Sequence, residues 1–157
     1  MNVTSTRSAF SSNVVPLPSA NSRLQVIEPD YSWRNAVVTH LEQLVRLPAG
    51  WDGYKGLPVS LLNANFALKM LDAICGSGAD APQIVPGLEG DLQIEWHTLK
   101  GDVELHVLGP NQVHGWRRLV GPAQREDELD LEIEFSAVAA WIREITEQPG
   151  AINFAAA

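Results

Sequence analysis

The chain has 157 residues, 45% hydrophobic and 19% charged, the size and balance of one folded domain rather than a disordered polymer. No apolar run approaches the ~18–20 residues that cross a bilayer, and one cysteine, Cys75, excludes an internal disulfide and a thiolate cluster. The formal net charge of −8 opposes phosphate backbones and anionic membrane surfaces. Direct nucleic-acid binding and membrane association are therefore not expected, and a basic protein partner is.

Residues 1–25 are rich in Ser, Asn and Thr, contain Pro16 and Pro18, and carry only Arg7 and Arg23 as charges. This composition predicts a flexible arm. Met1–Thr6 and the lone Arg7 lead into no apolar stretch, so no secretory signal is expected and the protein is placed in the cytoplasm. Residues 26–148 form the expected single domain, and 149–157, ending in three alanines, a tail.

Within the domain, Val37, Leu41, Leu44 and Val45 recur at helical spacing and predict a helix from about Ser32 to Leu47. Asp30 and Ser32 are its candidate caps, and Pro48 closes it. A second helix follows Ser60, burying Ala64, Ala67, Leu68, Leu71, Ile74 and Cys75, and stopping at Gly76-Ser77-Gly78. Cys75 is expected to pack rather than react.

The period then switches from 3.6 to 2. Gln83–Val85 is a short strand, and Leu92, Ile94 and Trp96 alternate with Gln93, Glu95 and His97. Val103, Leu105 and Val107 alternate with Asp102, Glu104 and His106, which makes an antiparallel hairpin at about 91–109. Asn111–Val120 is a further strand after Gly109-Pro110. Glu126–Glu134 alternates Leu129, Leu131, Ile133 and Phe135 with acids and is read as a strand. Ala137–Glu147 is a helix, capped by Ser136, burying Val138, Trp141, Ile142 and Ile145. The expected fold is α+β: an N-terminal helical hairpin packed on an antiparallel β-meander, followed by a C-terminal helix.

Three constellations could carry chemistry. With Lys100-Gly101 as the centre of a two-residue turn, Glu95 faces His106 and His97 faces Glu104 on the outer side of the hairpin. Glu95, His97, Glu104 and His106 are then candidate ligands for a divalent metal such as zinc, or a Glu–His acid–base pair; the competing reading is a row of complementary cross-strand pairs with no cofactor. Trp51, Asp52 and Tyr54, in the glycine-rich stretch Gly50–Gly56, are candidate interaction residues. Against that, the two aromatics can fold back on the helical hairpin while Asp52 closes an Asx-turn. Arg117-Arg118 beside Trp116 is a weak nucleic-acid signal that the overall charge opposes; an ion pair with the acidic 126–134 segment is the expected arrangement.

Leu47-Pro48-Ala49-Gly50-Trp51-Asp52-Gly53-Tyr54, then Pro82–Pro86, then Leu92-Gln93-Ile94-Glu95-Trp96-His97 with Glu104 resemble, in order and spacing, a group of small uncharacterised bacterial proteins with a GWDGY … IxWH … LE pattern. The match covers roughly residues 45–110. The resemblance implies a bacterial origin and assigns no activity to any residue.

Two functional expectations follow. The first is a non-enzymatic, acidic protein-interaction module, such as an inhibitor or antitoxin-like partner of another bacterial protein. The alternative is a metal-dependent hydrolase using the Glu/His cluster. A homo-oligomer pairing through the hairpin or the 129–135 strand is a third.

Overall fold

The computed structural model describes residues 31–122 and 124–146. The expected arm at 1–25 and tail at 149–157 lie outside the described residues. Three helices and five strands follow one another as α1 (Arg34–Val45), α2 (Leu61–Ile74), β1 (Gln83–Pro86), β2 (Leu92–Thr98), β3 (Gly101–Gly109), β4 (Gln112–Leu119), β5 (Arg125–Leu131) and α3 (Ser136–Thr146). The strands form one antiparallel sheet in sequence order. The α+β fold read from the sequence is the one observed.

The helices cover one face of the sheet, with α1 over β1, α2 over β3, and α3 over β2 and β3. Period-2 alternation supplies that face: Leu92, Ile94 and Trp96 from β2 and Val103, Leu105 and Val107 from β3 are all buried. Val37, Leu41 and Leu44 of α1, Leu71 and Ile74 of α2, and Val138, Trp141, Ile142 and Ile145 of α3 close the core from above. Each deeply buried aliphatic side chain contributes about 1.5–3 kcal/mol relative to exposure.

The helix ends differ from the expected ones. Ser60 caps α2 as anticipated, its hydroxyl accepting from the Asn63 N–H at 3.1 Å. Ser32 does not cap α1; Trp33 occupies that place with no side-chain cap. Trp33 is buried and its Nε1–H donates to the Gly76 carbonyl at 3.2 Å, so tertiary docking fixes this helix start. The Arg34 guanidinium donates to Asp72 through Nε at 2.9 Å and Nη2 at 3.3 Å, tying α1 to α2. Helix α2 ends one residue ahead of the glycines, with Cys75 already extended. Ser136 is the first residue of α3, and the Glu134 carboxylate does the capping, accepting the Ser136 N–H at 2.8 Å.

The hairpin register is the main correction. Thr98 pairs with Gly101, so Leu99 and Lys100 form the turn and the expected centre at Lys100-Gly101 is displaced by one residue. Glu95 faces Glu104, not His106; His97 faces Asp102, not Glu104; and His106 faces Gln93. Each partner moves by two residues, which preserves the inner and outer faces while changing every pair. Gly101 explains the difference. A Cβ there would lie 2.2 Å from the Arg118 carbonyl oxygen. The glycine is needed for close approach of β3 to β4, and does not mark the turn. Thr98 organises the turn instead, its hydroxyl donating to the Gly101 carbonyl and accepting the Lys100 N–H, both at 3.1 Å.

The hairpin is also not an edge. Strand β2 is flanked by β1, and β3 by β4. The last strand ends at Leu131, leaving Ile133 exposed beyond it.

Candidate functional site

With the helices on one face, the other face of the sheet is covered by no element among the described residues. Its side chains come from alternate positions in each strand, and the pairings lay them out in rows. One row runs Gln93, His106, His114, Asp130; the next Glu95, Glu104, Trp116, Glu128; the third His97, Asp102, Arg118, Glu126. Carboxylates dominate, and Arg118 is a cation set among them.

The histidines of this face are each held by a carboxylate. His97 Nδ1 lies 2.9 Å from Asp102 and its Nε2 3.1 Å from Glu95. Both ring nitrogens can donate only in the imidazolium form. The Asp102 bond, then the Glu95 bond, accordingly raise the His97 pKa above its ordinary value. Asp102 is held below the usual carboxylate range by His97 and by Arg118, whose Nη2 donates to it at 2.5 Å. His106 Nε2 lies 2.5 Å from Asp91, and His114 Nδ1 2.9 Å from Asp130. Partial burial works against the Asp91 carboxylate, but His106 and the Glu89 N–H outweigh it and lower its pKa.

The four residues singled out by sequence are therefore distributed over separate contacts. Glu95 and His97 meet each other, Glu104 accepts from Gln93 Nε2 at 3.0 Å, and His106 is held by Asp91. Among the described residues, no group of three or more His, Cys, Asp or Glu is arranged to hold a metal ion. Glu104 and His106 share a shallow depression of about 230 Å³ with Gln93, His114, Trp116 and Glu128.

Sequence reasoning missed Asp91 and Asp102; it named Trp116 only as the neighbour of Arg117-Arg118, and Glu128 only as part of the acidic 126–134 segment. The alternation of His114, Trp116 and Arg118 along β4 was the available signal for Trp116. Nothing local signals Asp91, which precedes β2 and reaches His106 across the sheet. A Cβ on Gly87 would lie 2.1 Å from the Asp91 carboxylate, so that glycine makes room for it.

The glycine-rich loop is built mostly on itself. Asp52 Oδ1 accepts the Tyr54 N–H at 3.0 Å and the Gly56 N–H at 2.8 Å. These bonds, the Gly56 one foremost, lower the Asp52 pKa. Trp51 Nε1–H donates to the Leu57 carbonyl at 2.9 Å. Gly50 and Gly53 adopt φ of 78° and 84°, which glycine takes without steric cost. Tyr54 does not fold back on the helices; it is 78% exposed, with Lys55 Nζ 5.4 Å from its ring centroid.

Arg117 points the opposite way from Trp116, into the helix-covered side, and donates to Asp127 at 2.7 Å and Glu144 at 2.8 Å. The expected ion pair with the acidic segment thus exists for Arg117, while Arg118 turns to Asp102 on the open face.

Comparison of the chain with protein-family models, with curated proteins and with solved structures gave no match.

Proposed function

We propose that this protein is a non-enzymatic interaction module that docks a basic protein partner on the open face of its sheet. The observation that carries the reading is that face: Glu95, Glu104, Glu126, Glu128 and Asp130 project from a rigid five-stranded scaffold whose other side is packed by helices. A field of one sign on a broad surface steers an oppositely charged partner and raises its association rate. Trp116, in the middle strand of the three that carry most of these acids, supplies the aromatic type that dominates binding hot spots. An inhibitor or antitoxin-like role is the form of interaction we propose.

The test compares two immobilised proteins, the wild type and the triple variant Glu126→Lys, Glu128→Lys, Asp130→Lys, in lysate of the source organism at low and moderate salt. A basic protein retained by the wild type, weakened by salt and lost on the folded variant supports the reading. Identical retention on both, or none on either, removes it.

A further inference from the structure

The open face contains one place whose chemistry is more specific than its charge. Glu104, Trp116 and Glu128 are direct neighbours across β3, β4 and β5. Adjacent strands lie ~4.8 Å apart, so the two glutamates rise about 10 Å from each other at the backbone with the indole between them. That arrangement puts an aromatic side chain between two carboxylates. It suits a flat cation resting on the indole with a carboxylate on either side. All three line the same depression of about 230 Å³, together with Gln93, His106 and His114.

We propose that this depression is a binding site for an arginine side chain of the partner. The proposal rests on the reading of the open face as a docking surface and names the group that face recognises. The guanidinium is planar, stacks on indole, and presents donors along more than one edge, so it can engage both carboxylates at once. A lysine ammonium is a compact, strongly hydrated charge that reaches one of them. The site is preorganised on its β3 side, because Gln93 Nε2 holds Glu104 at 3.0 Å. His106 and His114 are likewise fixed, by Asp91 and Asp130. Arg118, two residues along β4, does not fill the depression: Nε at 3.0 Å and Nη2 at 2.5 Å both go to Asp102. The indole N–H groups of Trp116 and of the core residue Trp141 donate to no atom among the described residues, whereas those of Trp33, Trp51 and Trp96 donate to backbone carbonyls.

The test is a nitrogen–proton NMR titration of the full chain. The Trp116 indole resonance is assigned with Trp116→Phe, and the probes are blocked arginine amide, blocked lysine amide and blocked citrulline amide. Citrulline keeps the shape and loses the charge. The expected result is a saturable shift of the Trp116 signal with arginine, weaker with lysine and absent with citrulline. Glu104→Gln and Glu128→Gln each weaken arginine binding about three- to tenfold, and Glu126→Gln, one row away, changes it less than about twofold. An equal response to citrulline, no saturable shift with arginine, or undiminished binding in both glutamine variants overturns the proposal. Its failure is separable from that of the docking reading. If the triple lysine variant loses a partner while Glu104→Gln and Trp116→Phe keep it, the surface stands and the arginine site falls. If arginine binds as expected but no partner depends on the face, the reverse holds.

Discussion

The guanidinium of Arg117 lies 4.8 Å from the centroid of the Trp141 indole, joining the sheet to the last helix. Arg117 is 6% exposed and its two charge-assisted bonds reach β5 at Asp127 and α3 at Glu144. Removing one member of a fully buried ion pair costs about 3–5 kcal/mol. Here Glu144 is 53% exposed and Asp127 partly hydrated, so the loss is smaller. Arg117→Ala should destabilise the fold by about 2–3 kcal/mol in urea unfolding, through lost packing on Trp141 as much as lost charge. Arg117→Lys should recover less than half of that, because one ammonium cannot reproduce the Nε and Nη1 fork.

Gly101 should be intolerant of a side chain. The Cβ of alanine would lie 2.2 Å from the Arg118 carbonyl oxygen at a φ of 155°. Gly101→Ala is expected to cost at least about 2 kcal/mol through strain at a crowded backbone. Gly78, with nothing within 4 Å of a built Cβ, should accept alanine with a change under about 0.5 kcal/mol. Paired thermal melts of the two variants check the contrast.

Stability should depend on pH through the His97–Asp102 contact. The folded pKa of His97 is raised above its ordinary 6.5, so its contribution is fully present below that value and is lost as pH rises through the folded pKa. Asp102 is lowered from 3.8, so its contribution is present above that value and is lost as pH falls through the folded pKa. The pair therefore stabilises most between those limits. His97→Gln should reduce stability most between those limits and progressively less as pH rises through the folded His97 pKa, by under about 1 kcal/mol, since the ring is half exposed. Urea unfolding of both proteins across that range measures it.

Cys75 should be inert in the folded protein. Burial, with a smaller effect from Asp72, pushes its thiol up to about 12. Almost no thiolate forms at neutral pH, and the thiolate is the reactive species. A thiol reagent should label Cys75 only at the rate at which the native protein opens, and promptly in denaturant; rapid native labelling would contradict this placement.

Much of the fold was legible because it is written as a period. The stripe Val138, Trp141, Ile142 and Ile145 predicted the buried face of α3, and the alternation from Leu92 to Val107 predicted the inner face of the hairpin. Pairing was not legible. A two-residue slip leaves both faces unchanged, so alternation carries no information about which glutamate meets which histidine. Lys100-Gly101 looked like turn chemistry, but Gly101 answers to Arg118 on a strand still to come. The contacts of the open face had the same difficulty: Asp91 meets His106 and Asp102 meets Arg118 only once the sheet is assembled. Trp116 was visible as an aromatic beside two arginines, yet its place between Glu104 and Glu128 depends on two registers at once.

A basic partner docked on the open face of the sheet, as proposed, would shield the carboxylates there. Carbodiimide footprinting of carboxylates, with and without the captured partner, reads that surface residue by residue. Glu95, Glu104, Glu126, Glu128 and Asp130 should lose reactivity in the complex while Glu42 on α1 and Glu144 on α3 are unchanged. Protection of Glu42 or Glu144 with the sheet carboxylates still reactive would contradict it.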